Sequence, residues 1–127
     1  MTASTEELAR RVCESWDQFQ PDDFREIFAE DCVYENMPMP GVNRGPDAVA
    51  GVLGLIGDGY EIKLRIQNII ATADLVMVER TESFTRPDGS GSFELPVVGV
   101  FEAAGGKITA WRDYFHFDPK LWEAQEA

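Results

Sequence analysis

The sequence has little positive charge and almost no histidine. Lys and Arg number 11 against 23 Asp and Glu, the formal net charge is −12, and a single histidine is present. A chain this acidic repels phosphate backbones and anionic lipid headgroups, so we expect neither a nucleic acid nor a membrane as partner. One histidine without clustered cysteine or aspartate also argues against a metal site. The sequence contains neither a G-x-G-x-x-G loop nor a G-x-S-x-G elbow, which argues against dinucleotide cofactors and serine hydrolase chemistry.

Long hydrophobic runs and cysteine motifs are also lacking. The closest candidate for a membrane span, residues 66–78, is interrupted by four polar residues, and Met1–Arg11 has no apolar run that would form a signal-peptide core. The two cysteines, Cys13 and Cys32, do not form a C-x-x-C motif and have apolar neighbours, so we interpret both as reduced core residues. We therefore expect a cytoplasmic protein.

The composition that remains is typical of one globular domain. The 127 residues are 44% hydrophobic and 27% charged, and no repeat, low-complexity tract or linker divides them. A domain of this size buries roughly two-thirds of its unfolded surface, which is enough for one core and an internal pocket. We predict a single domain over residues 1–127.

Helical signals fill most of the first half of the chain. Ser4 and Glu7 form a capping box in front of a helix whose apolar residues recur every three to four positions and which ends before Pro21. The other elements predicted in this half are a helix from Pro21 through Phe28, a strand over residues 31–36 and a helix opened by Gly45-Pro46-Asp47.

Alternating polar and apolar residues characterise the second half. Pro87–Gly91 and Gly105-Gly106 are hairpin signals, and Pro96 requires an edge or a bulge in its strand. The predicted strands cover residues 60–66, 75–85, 92–102 and 107–117, and residues 119–127 form either a short helix or a tail.

Helices in the first half of the chain and antiparallel strands in the second half indicate an α+β fold. We predict three N-terminal helices packed on a strongly curved, mixed and mainly antiparallel sheet of four to five strands. Such a sheet, wrapped around the helices, leaves an internal apolar pocket where a functional site is expected.

Five polar residues occupy strand positions predicted to face this pocket. Because strand residues two apart share a face, Tyr34 and Asn36 lie together on the first strand, and Arg80 and Glu82 lie together on the third. On the last strand, Asp113 is a lone carboxylate among aromatic residues. The apolar positions predicted to form the pocket wall are Trp111, Phe84, Phe115, Val78 and Val97.

The chemistry of these five residues favours an acid–base site. An anionic Asp113 is costly among aromatic rings unless a cation meets it, and the planar fork of Arg80 can bridge Asp113 and Glu82. Two carboxylates that share one arginine can hold an ionised base and a protonated acid side by side. Tyr34 and Asn36 add a hydroxyl and an amide that can hold a water against Asp113.

Four separated segments carry a resemblance to a known family. Residues 34–40, 79–82, 99–101 and 107–115 resemble limonene-1,2-epoxide hydrolases, and the likeness extends from the first helix to Phe117. The resemblance implies the cone-shaped α+β fold shared with ketosteroid isomerase, nuclear transport factor and SnoaL-like proteins. It also implies a homodimer, no metal or other cofactor, and one-step opening by water of a small apolar epoxide, terpene-like or alicyclic, to a vicinal diol.

The resemblance also implies a role for each polar residue. Asp113 would be the general base, Tyr34 and Asn36 would hold the attacking water, and Arg80 would bridge the carboxylates. The family's acid is an aspartate two residues after that arginine, whereas this chain has Glu82 there. The extra methylene moves the carboxyl group by up to ~1.5 Å.

Other readings of the same residues remain open. A cyclase or isomerase of this fold would use Asp113 to move a carbon-bound proton of a polyketide or steroid-like ketone, and a non-catalytic module would only bind a hydrophobic ligand. Arg80 and Glu82 alone would fit a structural ion pair. Strand alternation predicts that His116 points away from Asp113, so no catalytic role is assigned to it.

Overall fold

Helices occupy the first part of the chain and strands most of the second. The computed structural model describes residues 3–116. The helices are α1 (Thr5–Ser15), α2 (Pro21–Ile27) and α3 (Pro46–Gly57), with a 3₁₀ turn at Trp16–Gln18 after α1. The strands are β1 (Phe28–Asn36), β2 (Asn43–Arg44), β3 (Glu61–Ala71), β4 (Leu75–Thr85), β5 (Ser92–Ala104) and β6 (Lys107–Tyr114).

The capping box predicted at the start of α1 is confirmed. The Glu7 backbone N–H donates to Ser4 Oγ at 3.1 Å, and the Ser4 N–H donates to the Glu7 carboxylate at 3.3 Å. These two bonds satisfy donors that the first helical turn leaves without partners. The apolar stripe that follows, including Leu8 and Val12, is buried, and α1 packs on β3 and β4.

The six strands form one curved, mixed sheet in the order β2-β1-β6-β5-β4-β3. All neighbouring strands are antiparallel except β1 and β6, which run parallel. The parallel pair arises because the chain leaves β1, forms α3 and the β3–β5 meander, and returns to pair β6 with β1. The predicted α+β architecture is confirmed. The sheet has six strands, one more than the upper limit of the four to five expected.

The sheet register determines which residues meet at its centre. Asn36 pairs with Asp113 and Tyr34 pairs with Trp111 between β1 and β6, while Gly99 of β5 pairs with Asp113 on the other side. Strands β4 and β6 are both neighbours of β5, so only one strand separates Arg80 from Asp113.

Several strand boundaries differ from the sequence prediction: β3 continues to Ala71 and not only to residue 66, and β5 continues to Ala104 and not only to residue 102. Phe28 belongs to β1 and not to the second helix: its backbone is extended (φ −103°, ψ 137°) and it pairs with Ile108 before a register shift in β1. At the other end, β6 stops at Tyr114 and not at residue 117. Residue 117 and the predicted terminal segment, 119–127, lie outside the described residues.

Pro96 lies at a local edge of the sheet, as predicted. It pairs with Thr81 of β4, but β6 ends at Tyr114 opposite Val98. Within residues 3–116, Pro96 therefore has a strand partner on one side only. This explains how a residue without a backbone N–H fits into a strand that is otherwise paired on both sides.

The core lies between the helices and the concave face of the sheet. Cys13 and Cys32 are both free and buried there, in agreement with the prediction. Within the described part of the chain, no helix is both long and apolar enough to cross a membrane.

Candidate active site

A cavity of about 320 Å³ lies within the fold. Its walls are mainly apolar and come from the 3₁₀ turn, β1, β2 and the segment between them, α3, and strands β4, β5 and β6. Four of the five predicted polar residues line it: Tyr34, Asn36, Glu82 and Asp113. The fifth, Arg80, is 1% exposed and contacts both carboxylates from within the core.

Most of the predicted apolar wall lines this cavity. Trp111, Phe84, Phe115 and Val97 are among its lining residues. Val78 is not: it is fully buried in the core cluster, two residues before Arg80, where α1 packs on β4. The prediction that Val78 forms part of the pocket wall is therefore corrected, because its side chain is enclosed by the core cluster.

Arg80 bridges two buried carboxylates. Its Nε atom donates to Glu82 Oε2 at 3.1 Å, and its Nη2 atom donates to Asp113 Oδ2 at 2.7 Å. The side chains of all three residues are at most 7% exposed. One cation therefore faces two acids in a poorly solvated environment, where Coulomb interactions are strong.

Two tryptophan side chains complete the contacts of these carboxylates. Trp111 Nε1 donates to Asp113 Oδ1 at 2.6 Å, so both oxygens of Asp113 accept hydrogen bonds. Trp16 Nε1 donates to Glu82 Oε2 at 2.9 Å, the same oxygen that accepts from Arg80. Among residues 3–116, no donor is hydrogen-bonded to Glu82 Oε1.

Burial changes the protonation of the groups around the cavity. Burial raises the pKa of Glu82 above its ordinary value, and the charge of Asp113 adds to this increase, although Arg80 and the hydrogen bond from Trp16 oppose it. Burial also raises the pKa of Tyr34 well above that of a free phenol, with a further contribution from Asp113. Tyr34 is therefore a neutral hydroxyl.

Tyr34 and Asn36 form a polar pair on β1. The Tyr34 hydroxyl donates to Asn36 Oδ1 at 3.3 Å, and the Tyr34 ring stacks on Trp111 with 4.2 Å between ring centroids. The Met37 N–H donates to the Asp113 carbonyl at 2.9 Å, which fixes the end of β1 against β6. The pair and Asp113 consequently line the same cavity on neighbouring strands.

Gly99 is a structural requirement of the site that the sequence did not reveal. A Cβ atom on Gly99 would lie 2.7 Å from Arg80 Nη1 and 2.8 Å from Asp113 Oδ1, both closer than real contacts allow. The guanidinium group and the carboxylate therefore rest directly on the backbone of β5. Any side chain at this position would displace them.

His116, which strand alternation predicts to point away from Asp113, is exposed and borders the cavity. The alternation stops where β6 ends, at Tyr114, so it does not determine where His116 points. Within residues 3–116, no group of three or more His, Cys, Asp or Glu side chains could hold a metal ion.

The fold and the site define a class of protein. The chain is similar in structure to a protein with a ketosteroid isomerase-like fold from Catenulispora acidiphila (TM-score 0.76, 19% identity, covering 90% of this chain and 88% of that one). It is also similar to a putative SnoaL-like polyketide cyclase from Jannaschia sp. CCS1 (TM-score 0.75, 17% identity, covering 97% and 90%). These likenesses show the fold: an α+β domain of the ketosteroid isomerase and SnoaL type.

Sequence comparison identifies the family within that class. The limonene-1,2-epoxide hydrolase (LEH) catalytic domain matches residues 8–124. Epoxide hydrolase EphG of Mycobacterium tuberculosis is 34% identical over 99 residues, and the match covers 76% of this chain and 64% of that protein's length. An M. tuberculosis LEH-like epoxide hydrolase of known structure is 32% identical (TM-score 0.67, covering 88% of this chain and 80% of that one). The chain belongs to the limonene-1,2-epoxide hydrolase family.

Proposed function

We propose that the protein adds water to a small apolar epoxide, terpene-like or alicyclic, and releases a vicinal diol in one acid–base step. The observation that carries this proposal is the Arg80-bridged pair of Asp113 and Glu82 beside an apolar cavity. In the step, the oxygen of water bonds to one epoxide carbon while the C–O bond of that carbon breaks. The water gives a proton to one carboxylate, and the other carboxyl group protonates the departing oxygen.

Asp113 is the base in this proposal. Its carboxylate accepts hydrogen bonds from Arg80 and Trp111, which hold it beside the cavity where it would receive a proton from water. Tyr34 and Asn36 line the same cavity from the neighbouring strand and supply a hydroxyl and an amide that can orient the water.

Glu82 is the acid. Its raised pKa lets it keep a proton at higher pH than an exposed glutamate does, and it lines the cavity. Delivery of that proton to the epoxide oxygen leaves Glu82 ionised and Asp113 protonated. Asp113 then releases its proton to solvent and Glu82 takes one up, which restores the starting state.

The cavity supports a small, mostly hydrocarbon substrate. Its volume of about 320 Å³ lies near the lower end of the ~300–1,000 Å³ range of small-molecule sites. Aliphatic and aromatic side chains from α3 and β5, including Leu53, Ile56 and Leu95, face this space. A monocyclic or bicyclic epoxide with few polar groups matches both its size and its lining.

The proposal is tested with a panel of cyclic and terpene epoxides and the variant Asp113→Asn. We expect diol formation by the wild type and a loss of about 10²- to 10⁴-fold in kcat for the variant, because the general base is removed. Asp31→Asn, an exposed aspartate on β1, is the matched control and should retain activity. Circular dichroism verifies that both variants fold. Full turnover by Asp113→Asn would exclude Asp113 as the base.

The same site fits a second reaction on a ketone. In a cyclase or isomerase, Asp113 would remove a carbon-bound proton, and the fold shared with a putative SnoaL-like polyketide cyclase is compatible with that chemistry. Solvent-deuterium exchange into a ketone without diol formation from epoxides would favour it. Thermal stabilisation by apolar ligands without turnover of either class would instead favour a binding module.

We also propose a homodimer formed through the outer face of the sheet. Met77, Val98 and Tyr114 are 45%, 40% and 45% exposed on three adjacent strands, and Val98 pairs with Tyr114. Exposed apolar residues grouped in this way are typical of interfaces. Light scattering after size-exclusion chromatography should give twice the chain mass, and a monomer would refute the proposal. The cytoplasmic location and the absence of a cofactor stay predictions.

A further inference from the structure

Trp16 contacts the site from an element that the proposed mechanism does not use. It is the first residue of the 3₁₀ turn after α1, it is 5% exposed, and it lines the cavity. Its Nε1 atom lies 2.9 Å from Glu82 Oε2, although 66 residues separate the two in sequence. Arg80 Nε donates to the same oxygen at 3.1 Å.

Two donors on one oxygen determine where a proton on Glu82 can reside. Indole and guanidinium N–H groups donate hydrogen bonds and do not accept them. A proton on Oε2 would therefore point at groups that offer it no lone pair. The proton is favoured on Oε1, the oxygen to which no donor among residues 3–116 is bonded.

We infer that Trp16 is a positioning residue that fixes the Glu82 carboxyl group, with its acidic proton on Oε1 and available to substrate. This inference rests on the proposed epoxide hydrolysis and assigns to its acid a partner from the first helical segment. The indole acts through Glu82 and does not itself exchange a proton.

The inference explains how a glutamate can serve where the family resemblance expects an aspartate. At the observed distance of 2.9 Å, the indole N–H reaches Glu82 with good hydrogen-bond geometry. A side chain shorter by one methylene would withdraw its carboxyl group by up to ~1.5 Å, beyond hydrogen-bonding range of a fixed indole. We therefore expect loss of the Trp16 indole to lower kcat when residue 82 is glutamate and to change kcat little when residue 82 is aspartate.

Several titratable groups lie near Glu82, and any test must distinguish their protonation from that of Glu82. Arg80 shares its strand, Asp113 faces it from β6, and Cys13 and Tyr34 interact with it from α1 and β1. Burial raises the pKa of the Cys13 thiol to about 12, so this group stays neutral. The strand neighbours of Glu82 in register, Leu64 and Leu95, carry no charge. The other titratable residue that lines the cavity is His116.

A pH titration of the indole N–H signals by ¹H–¹⁵N NMR tests the contact without any substrate. Trp16→Phe assigns the Trp16 signal. We expect this signal to shift with pH in a transition that disappears in Glu82→Gln and persists in His116→Gln. A Trp16 signal insensitive to pH, or a transition that survives Glu82→Gln, would overturn the inference whether or not the protein hydrolyses epoxides.

A double-mutant cycle then tests the role in turnover. With Glu82 present, Trp16→Phe should lower kcat about tenfold and move the high-pH limb of kcat upward, because loss of a donor to the carboxylate raises the pKa of Glu82. In the Glu82→Asp background, the same substitution should change kcat by less than about twofold.

Phe24→Leu provides the matched control for lost aromatic packing. Phe24 is buried in the core cluster but does not line the active cavity, so kcat and its pH dependence should not change. Equal losses from Trp16→Phe in both backgrounds, with no movement of the pH limb, would show that the indole only fills space. If neither background turns over any epoxide, the proposed function fails, and the NMR titration alone decides whether Trp16 controls the Glu82 proton.

Discussion

The two carboxylates of the site are held in different ways. Asp113 is fixed by close neighbours in the sheet: Trp111 two residues before it on β6 and Arg80 one strand beyond β5. Glu82 is fixed by Arg80 on its own strand and by Trp16, which the first helix brings over the sheet. The position of Asp113 thus depends on strand register, whereas the position of Glu82 also depends on how α1 packs on the sheet.

This difference assigns different chemistry to the two acids. Asp113 accepts a hydrogen bond on each of its oxygens, from Arg80 and from Trp111. Glu82 has both donors on one oxygen, and burial raises its pKa. Arg80 consequently contacts the proposed base on one side, while burial and the charge of Asp113 favour the protonated form of Glu82 on the other.

Among the variants that test this difference between the two acids, Glu82→Gln is expected to lose the most activity. Loss of the acidic proton should lower kcat by about 10²- to 10⁴-fold, whereas an amide of nearly the same shape preserves packing. Steady-state kinetics on an epoxide that the wild type hydrolyses provides the measurement. Glu79→Gln, on the exposed face of the same strand, is the control. Normal turnover by Glu82→Gln would place the acid elsewhere.

A smaller loss is expected from Gly99→Ala, which disturbs both carboxylates through their shared arginine. The added methyl group would lie within 2.8 Å of Arg80 Nη1 and Asp113 Oδ1, so these groups must move. Displacements near 1 Å can cost about a hundredfold in rate. Gly91→Ala is the control, because a Cβ atom there meets nothing within 4 Å. Unchanged kinetics in Gly99→Ala would mean that the bridge tolerates displacement.

The smallest expected effect is a pH-dependent change in thermal stability. Folding raises the pKa of Glu82, so the native state keeps this proton to higher pH than the unfolded chain does. The resulting stabilisation is complete below the unfolded pKa and is lost as pH rises through the folded pKa. Relative to Glu82→Gln, the wild type should therefore lose Tm as the pH rises above the ordinary pKa of a glutamate. Calorimetry measures both Tm values, and a wild type that gains stability relative to Glu82→Gln as the pH rises would contradict the raised pKa.

Much of the fold could be predicted because local signals agreed with tertiary structure. The Ser4 capping box marked the start of α1, and the turn at Gly105-Gly106 joins β5 to β6, with both glycines at positive φ. Boundaries failed where packing outweighed local pattern. Phe28 continues an apolar helical stripe in the sequence, but pairing with Ile108 draws it into β1.

The site could be predicted in the parts that follow strand periodicity. The contacts of Arg80 with Glu82 and Asp113 were expected from polar residues on inward faces, and both are present. Trp16 could not be assigned to the site from the sequence, since no local pattern links it to a residue 66 positions away. The orientation of His116 could not be derived, because alternation has no meaning beyond the last paired residue of β6.

The central claim is that water, and not a carboxylate, attacks the epoxide. A single turnover in H₂¹⁸O with enzyme in excess tests it most directly, with mass spectrometry of both the diol and the protein. We expect one ¹⁸O atom in the diol formed during the first turnover and none in the peptide that contains Asp113. An unlabelled first diol together with ¹⁸O in that peptide would show that Asp113 attacks carbon and would contradict the account.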